Sequence, residues 1–338
     1  MRRHWRAALG FSLSAALLYW TLRGEQWSAI WDTLRTSNLW LWAAATVVSQ
    51  LIFPLRARRW QTILHPIAPA VPFGALWRAT AIGMMINNVV PARAGELARA
   101  YAIGREDARV PFSAALGSLV VDRAFDAAMV VLLLVVATLD PAFTTATSIG
   151  EKTLGAVVLS GVGIVVAAFG VLTAGAFAPA WVESTISAVV HRVLPHWEER
   201  IRAITVSFLS GLGVLRDPRR FVAVFFWTLL HWLTNAAAFW LAFAALGLDV
   251  PITAALLVQG VIALGVAIPS SPGFFGVFEL AGKTSLVLYG VAETDAVSWA
   301  LGFHILSFIP ITLIGAWYFI RLGLSMGEVQ QAGSGERA

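Results

Sequence analysis

Six apolar runs, at residues 7–22, 39–55, 112–139, 154–178, 221–246 and 297–320, dominate this chain. At about 1.5 Å per residue, four of these runs exceed a hydrocarbon core of about 30 Å as helices, and 7–22 and 39–55 nearly reach across it. Lipid offers no partner for backbone N–H and C=O groups, so a single spanning segment must be helical. One soluble core could not hide so many runs. The 338 residues are 58% hydrophobic and 13% charged, with a mean hydropathy of +0.75. Soluble domains carry about 25% charge. The chain therefore reads as all-α, a polytopic transmembrane helical bundle.

Two further stretches, 73–90 and 252–289, are apolar but interrupted, the second by Pro269-Ser-Ser-Pro272-Gly273. Counting the second as two short crossings gives about eight spans, with one or two broken or re-entrant segments. Arg2, Arg3 and Arg6 precede the first run, a layout shared with secretion signals. No small-residue cleavage site follows it, so it reads as an uncleaved first helix.

The cations are 22 Arg and two Lys, and their positions orient the chain. With the N-terminus in the cytoplasm, 18 of the 24 fall on that side, Arg56, Arg58, Arg59, Arg93 and Arg99 among them. Only Arg23, Arg35 and Lys152 face the other way, and Arg78, Arg123 and Lys283 lie in or near apolar segments. That asymmetry is the positive-inside pattern. It predicts a multi-pass membrane protein with both termini cytoplasmic. It also accounts for the basic pI without a nucleic-acid partner. Trp5, Trp20, Trp40, Trp42, Trp60, Trp299 and Trp317 lie near predicted helix ends, as an interfacial belt or simply as part of a Trp-rich chain.

A single transmembrane domain is expected over residues 1–325, with 179–220 forming a cytoplasmic, interfacial amphipathic segment. Residues 326–338 are expected to be a disordered tail. There is no cysteine, the six His are scattered, and no Walker A or GxGxxG motif occurs. No cofactor or metal is expected.

Three stretches break the apolar rule. In the first, Asp122, Arg123 and Asp126 lie inside the 112–139 run. Asp122 would sit about 15 Å along that helix, near mid-membrane, where each unpaired charge costs roughly 2.5–3.5 kcal/mol. Asp122 and Asp126 share a face, and Arg123 reaches Asp126 at i+3. Two acids and one base leave a net negative charge unless another Arg joins or a carboxyl is protonated. Both a structural ion pair and a polar path for a headgroup or proton fit.

In the second, Asn87 and Asn88 end an apolar approach, and Pro91, Arg93, Gly95, Glu96 and Arg99 follow. Pro91 and Gly95 break the helix, and a break at membrane depth must face protein or water. Glu96 and Arg99 are spaced i,i+3, as a surface ion pair or as part of a site. The third is Ser271, Pro272, Gly273, Gly276 and Glu279, with Lys283 one turn further on. Such breaks build substrate sites in transporters, because half-helix N-termini attract anions. The second and third stretches share the order Pro, Gly, Glu after an apolar run, which suggests an internal repeat.

Taken together, the segments Asn88-Val-Val-Pro-Ala-Arg93-Ala-Gly95-Glu96-Leu-Ala-Arg99, Val121-Asp122-Arg123-Ala-Phe-Asp126 and Ser271-Pro272-Gly273-Phe-Phe-Gly276-Val-Phe-Glu279 have a recognisable order. With Arg56 to Trp60, the chain resembles the membrane domain of lysylphosphatidylglycerol synthase/flippases over roughly residues 5–325, in particular stand-alone flippase-like members. It departs from that family's usual pattern in having Asp122 for Glu and Phe274 for Gly. Bifunctional members carry an aminoacyl-transferase domain after the membrane part. This chain stops shortly after its last run, so synthase activity is not expected.

The resemblance implies lipid translocation, in the cytoplasmic (inner) membrane of a bacterium. Arg56, Arg59, Arg93 and Arg99 would collect an anionic headgroup, of a phospholipid or a polyprenyl-linked lipid. Asn87, Asn88, Glu96, Asp122, Arg123 and Asp126 would line the path, and Ser271, Pro272, Gly273, Gly276 and Glu279 the opposing wall. The expected partners are the lipid and the bilayer, and the expected role is a carrier and not an enzyme. An intramembrane enzyme or enzyme subunit acting on lipid-linked sugars, or a non-transporting scaffold of a lipid pathway, also fits these residues.

Overall fold

Pro54 does not end the helix that starts at Leu39. Asn38 caps that helix by accepting from the backbone N–H groups of Trp40 and Leu41, and the helix runs through Pro54 to Leu64. This computed structural model describes residues 12, 15–90, 94–140, 154–193, 195–267 and 272–334. After a helical stretch at 15–22, the helices are α1 (Trp27–Thr36), α2 (Leu39–Leu64), α3 (Phe73–Val89), α4 (Gly95–Glu106), α5 (Phe112–Ala137), α6 (Leu154–Phe177) and α7 (Pro179–Val193). They continue as α8 (Glu198–Ser210), α9 (Pro218–Ala245), α10 (Ile252–Ala267), α11 (Val277–Val287), α12 (Glu293–Arg321) and α13 (Met326–Ser334). No strand occurs among the described residues.

Helices α2, α6, α9 and α12 are long and apolar enough to cross a membrane. Helix α5 has 26 residues, as many as α2, and is set apart by Asp122, Arg123 and Asp126. The chain is a polytopic helical membrane protein.

The two interrupted stretches are hairpins. Arg78, near the start of α3, forms a two-point ion pair with Glu106, the last residue of α4 (Nε to Oε1 2.6 Å). The outer ends of α3 and α4 therefore lie together and the break at 90–94 is the tip. The helices touch closely there: a Cβ on Gly95 would overlap the Gly83 carbonyl. Likewise Tyr289, just past α11, meets Thr253 at the start of α10, so the second tip lies at the other end of these helices, residues 272–276 being its described part. Helix α10 has 16 residues and α11 has 11, about 24 and 16 Å, too short to span singly.

The hairpins enter from opposite ends of α2. Gln61, near the C-terminus of α2, donates to the Val71 carbonyl just before α3 (2.9 Å). At the other end, the Asn38 N–H donates to Ala245, the last residue of α9, a short turn from α10 (2.8 Å). The two stretches that share the Pro, Gly, Glu order thus belong to two hairpins of opposite orientation, an arrangement met in transporter folds. The tips converge, with α3 packed on the turn Pro272–Phe274.

Each hairpin has its own apolar core. One cluster joins α3 and α4 to Trp60, Ile63, Leu119 and Phe125, and the other joins α10 and α11 to Met129, Phe239, Trp299 and Phe303. The division crosses α5 between Phe125 and Met129, where Asp126 lies. The Asp122, Arg123 and Asp126 charges thus lie where the two cores meet.

Several expectations change. Trp42, Trp60 and Trp299 are buried in the cores, whereas Trp20, Trp40 and Trp317 are exposed. Residues 179–220 form two helices, α7 and α8, tied by His191 and Ser187 to Glu198. The tail is helical as far as Ser334, because Val329 docks into the first core against α4.

Candidate functional site

Because α2 continues past Pro54, Arg56 and Arg59 are three residues apart on a buried helix face and not in a loop. That face meets Asp122 and Asp126 of α5. Arg59 Nε lies 2.7 Å from Asp122 Oδ1, and its Nη1 lies 2.7 Å from Asp126 Oδ1. From α4, Arg99 reaches Asp122 at 3.1 Å with its guanidinium 4.0 Å over the Trp60 ring. Arg123 bridges Glu96 (3.0 Å) and Asp126 (3.4 Å). Thr228 and Trp232 of α9, which the sequence did not single out, complete the set: Arg59 donates to Thr228 Oγ1 and Trp232 Nε1 donates to Asp126 Oδ1.

These contacts revise one expectation and decide two open readings. Arg56, Arg59 and Arg99 are buried on helices rather than loop cations. Glu96 and Arg99 do not pair with each other, because the two side chains diverge to Arg123 and Asp122. The cluster is four Arg against Glu96, Asp122 and Asp126, net positive instead of net negative.

The surplus charge has an address. Arg56 Nη2 is 3.6 Å from Asp126 and 3.9 Å from Asp122, and neither it nor Nε makes a hydrogen bond. The remaining Arg side chains have carboxylates at 3.1 Å or closer. Arg56 faces a cavity of about 520 Å³ between the hairpin tips. Glu96, Arg123 and Asp126 lie on its charged wall, and Asn87, Asn88, His231, Asn235 and Gln259 give it neutral polar groups. Val131 of α5 and Gly161, Ile164 and Val165 of α6 make an apolar side. Helix α6 buries little of its surface in the protein, so this side borders the bilayer.

The tips are held by their own side chains. Asn87 Oδ1 accepts from the Gly95 N–H (2.8 Å), and Asn88 donates to Thr312 (2.7 Å). In the second tip Pro272 and Gly273 form a turn, and Gly273 and Phe274 take φ +68° and +62°. Gly276 caps α11, its N–H donating to Glu279 Oε2 (2.6 Å). Glu279 is fully buried behind the cavity wall and acts as a clasp rather than a lining group. His304 of α12, another residue the sequence left unremarked, lies within hydrogen-bond distance of Glu279 (2.6 Å) and the Gly273 carbonyl (2.9 Å). Lys283 turns away from Glu279 to Glu25 and Glu293. Arg93 and Ser271 lie outside the described residues.

Residues 7–315 match the family described as the lysylphosphatidylglycerol synthase TM region. The chain belongs to this family. It is 31% identical over 263 residues to a Haloferax volcanii protein named glycosyltransferase AglD, covering 71% of this chain but only 42% of that protein. Two UPF0104 membrane proteins of Methanothermobacter thermautotrophicus are similar over nearly their whole lengths. One is 24% identical, covering 88% of this chain and 90% of the relative, and the other 26% identical, covering 83% of each. No solved structure matches significantly.

Proposed function

We propose that the cavity holds the anionic headgroup of a lipid and that the protein carries this lipid between leaflets. The observation that carries this reading is Arg56, a buried cation held only loosely by Asp126 and Asp122, at 3.6 and 3.9 Å, in a cluster with one surplus positive charge, and facing the cavity. Burying a loosely held guanidinium is costly, and a phosphate offers it two-point hydrogen bonding. The apolar side along α6 gives acyl or prenyl chains a place in the bilayer while the headgroup stays inside. Tips that meet from opposite ends suit alternating access around a central site.

In this reading the protein is a carrier and performs no covalent chemistry. It sits in a cytoplasmic membrane with both termini cytoplasmic. Moving Arg56, Arg59 and Arg99 out of the loops leaves fifteen loop cations on that side against three, so the charge asymmetry keeps its sign. The bacterial assignment rests on the resemblance alone, since the relatives named above are archaeal.

A lipid-linked sugar is the second candidate cargo, favoured by the similarity to the protein named glycosyltransferase AglD. The shared chemistry is a phosphate ester beside hydroxyls that Asn87, Asn235 and Gln259 can bind. Purified protein in liposomes, assayed with headgroup-labelled phosphatidylglycerol, phosphatidylcholine and a polyprenyl-phosphate sugar, separates the sources. The anionic lipids should exchange between leaflets and phosphatidylcholine should not. Arg123→Ala should abolish exchange while leaving the protein inserted. Equal movement of all three lipids, or unchanged movement in that variant, would sink the assignment.

A further inference from the structure

The contacts of His304 require a proton count. A carbonyl oxygen can only accept, so the 2.9 Å contact with Gly273 puts a proton on Nε2. Nδ1 lies 2.6 Å from Glu279 Oε1, a separation that needs a second proton between them, on the ring or on the carboxyl. The other Glu279 oxygen already accepts from the Gly276 N–H. The pair therefore holds one proton more than a neutral imidazole and a carboxylate would, and its net charge is zero.

Losing that proton would leave a negative charge on Glu279, a side chain with no solvent exposure, whose partner His304 is stacked on the Phe278 ring. Two lone pairs would then face each other across the Nδ1 contact. The structure at stake is the second hairpin tip, whose left-handed Gly273 and Phe274 are fastened by the bond from His304. His304 lines the cavity, so the proton has a route to the cargo site.

The charges facing this pair set the sign of its coupling. Lys283, on the same helix, is engaged by Glu25 and Glu293. Across the cavity stand Arg56, Glu96, Arg123 and Asp126, part of the cluster with one surplus positive charge, together with His231 of α9. With the pair protonated, the interior carries that surplus and attracts an anion. With the pair deprotonated, Glu279 cancels the surplus. Proton and anion therefore each favour the other's binding, and such a coupling is reciprocal.

We propose that Glu279 and His304 form a proton-binding site that loads together with a singly charged lipid headgroup, making the protein an electroneutral proton–lipid cotransporter. This rests on the lipid-carrier reading above. The test uses liposomes with tracer labelled phosphatidylglycerol and an imposed pH difference. A one-unit difference should enrich the lipid about tenfold in the leaflet on the alkaline side. A potassium diffusion potential should leave that ratio unchanged. Glu279→Gln, which keeps an acceptor for the Gly276 N–H, and His304→Gln should each remove the pH-driven enrichment.

A second measurement needs no variant. In weakly buffered detergent, phosphatidylglycerol binding should be accompanied by proton uptake of up to about one proton per lipid, as the reciprocal coupling requires. Lipid that moves or binds with no pH-driven enrichment and no proton uptake overturns the coupling and leaves the carrier reading standing. Lipid that neither moves nor binds overturns the carrier reading and the coupling with it.

Discussion

Arg59 lies between Asp122 and Asp126, 2.7 Å from each, with no exposed side-chain surface. The two acids are four apart on α5, so one guanidinium can serve both only from a facing helix, here α2. Removing one partner of a buried ion pair strands the other, at a cost of about 3–5 kcal/mol. Arg59→Gln should therefore lower thermal stability in detergent severely, read as the midpoint of aggregation or of near-ultraviolet circular dichroism. An unchanged midpoint would mean that water or another cation already serves the two acids.

Arg56→Gln makes the same change of charge three residues earlier, with a different expected result. Arg56 has no carboxylate closer than 3.6 Å. Its loss brings the cluster to neutrality and breaks only these longer ion pairs, so stability should fall less than in Arg59→Gln. Binding of an anionic lipid, measured by fluorescence titration with labelled phosphatidylglycerol, should fall at least tenfold. A large loss of stability with intact binding would reverse the roles assigned to Arg56 and Arg59.

Much of the fold was legible because lipid imposes a length on every span, and the apolar runs carry that length in plain view. Asp122, Arg123 and Asp126 were visible for the same reason, as charges in a run that should have none. Arg56, Arg59 and Arg99 were named as cations for a headgroup, but their burial against the two acids was not legible. They follow Pro54 or precede a polar loop, and the positive-inside pattern assigns such cations to water. Only the continuation of α2 past Pro54 and the folding of α4 back along α3 bring them to α5. The order Pro, Gly, Glu hinted at a repeat, but orientation is decided by which end of α2 each hairpin meets. His304 and Trp232 gave no signal, since one His or Trp in an apolar helix looks like core until its partner is seen.

Phe274 has φ +62°, the left-handed region that a side chain enters at a cost of about 1–2 kcal/mol and that glycine enters freely. Replacing Phe274 by Ala keeps the backbone penalty and loses the ring, whereas Gly loses the ring and the penalty together. Phe274→Gly should therefore be more stable than Phe274→Ala, by about 1 kcal/mol, reversing the usual order. Thermal midpoints of the two variants decide it. Phe274 also lines the cavity, so the glycine variant should admit bulkier headgroups than the wild type in the liposome assay.

Glu25 joins the turn after the first helical stretch to the start of α12. Burial raises its carboxyl pKa, but hydrogen bonds from Thr294 and Lys283 and the Lys283 charge outweigh burial, leaving it below the usual carboxylate value. A carboxyl depressed in the folded state binds protons more weakly there than in the unfolded chain. Its stabilisation is thus complete above the pH where an unfolded glutamate titrates, about 4.3, and is lost as pH falls through the lower folded value. Between neutral and acid pH, the wild-type thermal midpoint should fall more than that of Glu25→Gln, which has no proton to bind at this site. Parallel falls in the two proteins would place the acid sensitivity elsewhere in the chain.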